Sequence, residues 1–504
     1  MSISIYIEPI TNSKDLIRGL LQTEFGISEK YTEYLYNNYL RSHIDRLKDS
    51  IYLLVETSYV DKVYRDSYYN YFSSKLSRYY RDCIRISFFD GEIAYDDFYK
   101  SERHENLQEI YRGFIVLRPI EPNIIGRSLI SPVAMKTNNF HCCTATYSTT
   151  ANGVKFKVNA FPHSSQDAET ISCAETTLWA LMEYFSTKYS EYTPVLPSKI
   201  TSVLRKVTSE RQVPSKGLNV SQISFALKEF GFGTRIYSVD QYRGDFYQLL
   251  SCYIESGIPT VVAMKNAQIG HALIVCGQEQ ITSTQIDNLN LHTFTNINLS
   301  ESRVRKNISI YDYSEIEREY IFVDDNFPVY QRASFNTPAN HYPSSWHDCR
   351  ISFFIVPLYT KIYLEAFEAK NYVYRFLLTG PSSLKDDSTI LIRFYLASSR
   401  SFKNSISSNE LMQNDIKQII VETSMPKFIW ITELSTKDLI KEKKANGIVI
   451  IDATEANLQF NKPLILAAFQ DTLVELNEET GNLEVNSLPL QDFLIYENNL
   501  NPFI

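Results

Sequence analysis

The sequence predicts an α+β protein of more than one domain, in which a helical lobe packs on an antiparallel sheet within the middle third. Three observations lead there. A chain of 504 residues is too long for one hydrophobic core. Helical periodicity is concentrated just after residue 161, and strand-like runs follow it. Helices first and strands afterwards is the order of an α+β unit, whereas strict alternation would indicate a parallel sheet. The expected division is 1–160 and 361–504 as flanking α/β domains of unassigned role, with 161–360 between them.

The first region opens with apolar residues at three- and four-residue steps, over Asp15–Phe25 and Tyr31–Leu47. Strand-like runs then take over: IYLLVETSYV (51–60), IRISFFD (84–90), GFIVLRPI (113–120) and SLISPVAM (128–135). HCCTATYSTT and VKFKVNAF flank Ala151-Asn152-Gly153, and Asn-Gly between alternating runs predicts a hairpin. In the middle region, CAETTLWALMEYFSTKY, LPSKITSVLRKV, GLNVSQISFALKEFG and DFYQLLSCYIESG read as helices, and IPTVVAM (258–264) and HALIVCG (271–277) as strands. The Asn/Thr/Ser-rich stretch 279–310 reads as an insertion loop, with YIFVDD (320–325) and RISFFIVPL (350–358) returning to strand character. The last region alternates strands with one or two helices and carries no motif, and its Asn/Ser-rich patch at 404–409 reads as a loop.

Composition narrows the function. A net charge of −8 argues against a dedicated nucleic-acid surface. No run of about 18 apolar residues occurs, so no membrane span is expected. The N-terminal residues lack the basic and apolar segments of a secretory signal. Seven cysteines without regular spacing (83, 142, 143, 173, 252, 276, 349) then predict reduced thiols and a cytoplasmic location. The basic clusters RVRK (303–306) and KEKK (441–444) are short and read as solvated faces.

One cysteine stands apart by position. In Ser172-Cys173-Ala174-Glu175, a Ser followed three residues later by Glu, just before an apolar periodic run, is a capping box. Leu178, Leu181, Met182 and Phe185 then share one helical face, and Trp179 reads as core. Cys173 falls in the first turn, where unpaired backbone N–H groups and the helix dipole favour a thiolate. By this pattern alone Cys173 is equally a nucleophile or a thiol packed beneath the helix. The second signal is Gly270-His271-Ala272-Leu273, a histidine at the mouth of an apolar strand, from which it can reach a helix N-terminus across a cleft.

From Cys173 to Asp325 the chain resembles the papain-like superfamily, in particular its C39-like cysteine peptidases. The shared order is a Cys opening a helix, a Gly-containing helical segment (GLNVSQISFALKEFGF), Gly257-Ile258-Pro259 before a strand, a strand starting at His271, and a strand ending in Asp. The resemblance implies a papain-like fold for the central region and a Cys173–His271–Asp325 triad, with Asp324 the near alternative. The acid would fix the imidazole tautomer and steady the imidazolium. It also implies an oxyanion-hole Gln six residues before the Cys, where this chain has Asp167. Gln166 serves if the loop holds one extra residue; a negative charge from Asp167 would oppose the oxyanion. The 54-position separation of His271 and Asp325, and Ala174 in place of an aromatic, are further departures.

The expected activity is that of a thiol hydrolase, read as a peptidase acting on a protein or peptide through a thioester, with no cofactor and no metal. The alternatives are an inactive binding module on the same scaffold and an acyl or glutamyl transferase. His141-Cys142-Cys143 with His163, or His341, His347 and Cys349, match no standard zinc spacing.

Overall fold

The computed structural model describes residues 3–297, 305–379, 388–469, 471–477 and 482–502. Its strands in chain order begin with β1 (Ile5–Pro9), β2 (Ile51–Tyr59), β3 (Cys83–Asp90), β4 (Tyr111–Leu117), β5 (Ile125–Ile130), β6 (Phe140–Cys142), β7 (Ala145–Ala151) and β8 (Val154–His163). All but β6 form one seven-stranded sheet, ordered β1-β2-β3-β4-β5-β8-β7, with every neighbour antiparallel. The expected β7–β8 hairpin forms on two turn residues: Asn152 and Gly153 take φ of 44° and 82°, and Ala151 pairs with Val154. Left-handed geometry at both positions matches the strand twist, which is why Asn-Gly is favoured there.

The second sheet is built from β9 (Phe232–Ser238), β10 (Thr260–Lys265), β11 (Gly270–Glu279) and three strands beyond the next hairpin. That hairpin is β12 (Leu291–Ile297) and β13 (Arg305–Asp312); β14 (Tyr320–Val323), β15 (Gln331–Ala333) and β16 (Arg350–Tyr359) follow. The order is β15-β14-β11-β10-β16-β9, and β6 joins the far end of β11. The third sheet takes β17 (Ser388–Ser398), β18 (Phe428–Ser435), β20 (Gly447–Asp452), β21 (Leu464–Phe469), β22 (Thr472–Leu476) and β23 (Leu483–Ser487); β19 (Lys444–Ala445) lies outside it. Its order is β12-β13-β17-β18-β20-β21-β22-β23, and β13–β17 is its parallel pair.

This architecture overturns the expected α+β arrangement of a papain-like helical lobe on a sheet, flanked by α/β domains. The protein is a sheet-rich mixed fold of three large, mainly antiparallel sheets, at about 35% helix and 32% strand. The reason lies in the helix Cys173–Lys188. Every residue from Ala174 to Phe185 is buried, rather than one face only. It contacts β7 and β8 on one side and β11 on another, so it is an interior layer between two sheets. Its core is continuous with residues of the first sheet such as Phe161 and of the second such as Ile274. Among the described residues the first sheet has no parallel pair and the third has one, β13–β17, so neither is the parallel array with crossover helices that an α/β domain requires.

Two segments read as loops form regular elements over their described residues; 298–304 of the first lie outside these. In 279–310, Ile308 and Ile310 alternate with polar residues and bury one face of β13 in a core shared with Tyr372, Val373 and Phe376 of the helix Ala366–Thr379, while the strand's edge pairs with β17. At 404–409, the helix Ser399–Ser407 forms because Phe402 and Ile406 recur at four residues and are both buried. Of the basic clusters, 303–304 lie outside the described residues, and Lys441, Lys443 and Lys444 pair at the surface with Asp287, Glu497 and Glu442. Among the described residues no helix is long and apolar enough to cross a membrane.

Candidate functional site

The N-terminus of the Cys173 helix and the start of β11 meet at one cleft. Glu175 reaches back to accept from the Ser172 backbone N–H at 3.1 Å and from its hydroxyl, and takes a further bond from the Ser215 hydroxyl at 2.6 Å. The Glu half of the capping box therefore pins the first turn, with Cys173 at its opening. Cys173 is partly exposed; the other six cysteines are buried, and all seven are free.

The cleft, of about 640 Å³, is lined by Gln166, Cys173, Gly270, His271, Asn326, Phe327, Tyr342 and Trp346 among others. Residues 98 positions apart in sequence thus share one wall. The imidazole of His271 is 3.0 Å from Asp324 Oδ1 through Nε2, and the Tyr342 hydroxyl lies 3.2 Å from the same nitrogen. With Nε2 engaged, Nδ1 is the nitrogen left for the thiol. Burial lowers the pKa of His271, but the charge and hydrogen bond of Asp324, with the nearby Cys173 thiol and the Asp325 carboxylate, outweigh it and hold the value well above the usual range. Trp346 stands edge-on to the ring at 5.6 Å and stacks on Tyr342.

The two adjacent carboxylates divide sharply. Asp324 accepts from His271, from the Asn326 backbone N–H at 3.0 Å and from the Tyr342 hydroxyl at 2.7 Å. Burial opposes its ionisation, yet the imidazolium and these donors hold it well below the ordinary carboxylate range. Asp325, expected as the third residue, approaches His271 Nε2 at 3.5 Å, and neither of its oxygens has a hydrogen-bond partner. Burial pushes its pKa up to about 7, with His271 lowering it and Asp324 raising it. The imidazole's hydrogen bond therefore goes to Asp324, the near alternative.

The loop before Cys173 separates Gln166 from Asp167. Asp167 is buried and turned into its own loop, where its carboxylate accepts from the backbone N–H of Glu169, Thr170 and Ile171 at 2.9, 2.6 and 3.0 Å. Gln166 lines the cleft and donates from Nε2 to Asn326 Oδ1 at 3.1 Å. Arg118 holds this geometry: buried, it donates to the carbonyls of Asn123, Ser165 and Gln166 at 3.0, 2.8 and 2.7 Å.

Several contributors escaped the sequence reading. Tyr342 and Trp346 sit in a polar loop, HYPSSWHD, without periodicity. His163, weighed in the sequence only as a metal ligand, instead ties the Asp324 turn down by bonds to the carbonyls of Asp324 and Phe327 at 3.1 and 2.9 Å. Arg118 carried a signal that was available: a lone charge closing the apolar run GFIVLR. The alternative metal groupings do not assemble. Among the described residues, the one group of three ligating side chains within 4.8 Å of one another is His271, Asp324 and Asp325. Neither a protein-family model nor a curated protein matches this chain.

Proposed function

We propose that the protein is a cysteine-nucleophile hydrolase acting on amide bonds, a peptidase, with Cys173 as nucleophile and His271 as its base. The site chemistry resembles that of C39-like cysteine peptidases in order and role, on a different overall architecture. The observation that carries this reading is that the partly exposed thiol and the anchored imidazole face the same cleft. His271 takes the Cys173 proton on Nδ1, and the thiolate adds to the scissile carbonyl carbon. The backbone N–H of Cys173 and the side-chain amide of Gln166 serve as the donors to the developing oxyanion. One N–H of that amide is used by Asn326 and one remains to donate. The imidazolium then protonates the leaving amine, and water activated by the same ring opens the thioester. Asp324 keeps the ring oriented and its positive form stable. Seven free cysteines are consistent with a reducing, cytoplasmic setting.

The test is cleavage of a peptide library by wild type and Cys173→Ala, read by mass spectrometry. Products present with wild type and absent with the variant are expected; identical profiles would end the reading.

A further inference from the structure

We propose that His271, Asp324 and Asp325 form a binding site for a divalent cation of the zinc class, beneath the mouth of the cleft. Three features carry this. The first is the donor set: one imidazole nitrogen and two carboxylates within 4.8 Å, a combination that suits zinc and its neighbours. The second is spacing. Bonds of about 2.0–2.1 Å around a tetrahedral ion put ligand atoms ~3.3–3.4 Å apart. His271 Nε2 lies 3.0 Å from Asp324 Oδ1 and 3.5 Å from Asp325 Oδ1, so the contraction or expansion needed on either side is small.

The third feature points to a ligand directly. Asp325 has a side chain only 4% exposed, and both of its oxygens lack a hydrogen-bond partner. A buried carboxylate is tolerated when it is paired, hydrogen-bonded or coordinated. Asp324, by contrast, has the outer contacts that orient a metal-ligating carboxylate, from the Asn326 N–H and the Tyr342 hydroxyl. Magnesium and calcium are disfavoured, because they are hard cations that take oxygen donors and one of these three donors is an imidazole nitrogen.

The inference goes beyond the proposed hydrolase and meets it at His271. A cation on Nε2 displaces the proton of that nitrogen to solvent and leaves the neutral ring protonated on Nδ1. That ring has no free lone pair to accept the thiol proton, so an occupied site and general-base action by His271 exclude each other. Zinc would then act as an inhibitor.

The test is zinc binding by the full chain, followed by equilibrium dialysis with metal analysis. One zinc per chain is expected for wild type and for Cys173→Ser, undiminished by excess magnesium. Asp325→Asn, checked for folding by circular dichroism, should bind at least tenfold more weakly. Absence of stoichiometric uptake by wild type, or equal affinity in Asp325→Asn, overturns the site. X-ray absorption at the zinc edge of the wild-type complex supplies an answer independent of any variant. Nitrogen and oxygen neighbours with an imidazole signature support the assignment; a shell dominated by sulfur refutes it, placing the metal on cysteines. Peptide cleavage is not part of these readouts. An inactive protein that binds zinc retains this inference, and an active one that binds none loses it.

Discussion

Replacing Asp324 by Asn asks which of two neighbouring carboxylates serves His271. The change keeps side-chain volume while removing the charge that Nε2 faces at 3.0 Å. It also leaves the amide with one oxygen to satisfy the Asn326 N–H, the Tyr342 hydroxyl and the imidazole together. A hydrogen bond to a charged group contributes about 1.5–3 kcal/mol. At roughly 1.4 kcal/mol per factor of ten, the thiolate–imidazolium pair should become ~10–100-fold scarcer. Asp325→Asn should do much less, since Asp325 makes no hydrogen bond and, with burial pushing it up to about 7, is only partly ionised near neutrality. The assay is the second-order rate of iodoacetamide labelling at Cys173 near neutral pH, located by peptide mapping, with His271→Ala as the floor. Equal slowing by both Asn variants, or none by Asp324→Asn, would refute the assignment of Asp324 as the orienting acid. Labelling spread evenly over the seven cysteines would refute the nucleophile itself.

Two further outcomes concern stability. Gly257 has φ of +69°, and a Cβ there would lie 2.3 Å from the carbonyl oxygen of Asn499, whose side chain bridges the carbonyls of Glu255 and Leu396. Gly257→Ala should therefore cost about 2–4 kcal/mol, from left-handed strain plus displaced hydrogen bonds, read as a lower urea midpoint. Gly244→Ala, where nothing lies within 4 Å, should stay within about 0.5 kcal/mol of wild type. Buried His43 has its pKa held well below the ordinary value by burial first, then by His163 and Arg46. The fold favours its neutral form, so its contribution is complete above about pH 6.5 and is lost as pH falls from there towards the folded value, at up to about 1.4 kcal/mol per pH unit. Acid unfolding followed by circular dichroism should show this loss reduced in His43→Gln.

The site was more legible than the fold. Cys173 and His271 were readable because each sits at the end of a regular element, where a cap or a strand start fixes the position locally. The choice between Asp324 and Asp325 was not, because both lie just past the end of β14, and the turn there, tied down by His163 and the Asn326 N–H, decides which carboxylate meets His271. Tyr342, Trp346 and Arg118 reach the site through long-range packing that no local pattern encodes. The layering failed for a related reason. Trp179 and Tyr184 are large apolar residues on faces of the Cys173 helix away from the expected stripe, and their burial reflects a sheet on each side. The 279–310 hairpin was hidden because Asn, Thr and Ser dominate composition even where Ile308 and Ile310 keep a period of two.

That hairpin has a practical bearing on how the molecule can be taken apart. The chain leaves β11 of the second sheet, donates β12 and β13 to the margin of the third, and returns as β14 beside β11. A fragment cut at 161–360 would carry β13 with its β17-facing edge bare, offering unpaired backbone groups and the buried faces of Ile308 and Ile310 to any passing strand. Such a fragment should self-associate, so assays of Cys173 belong on the intact polypeptide.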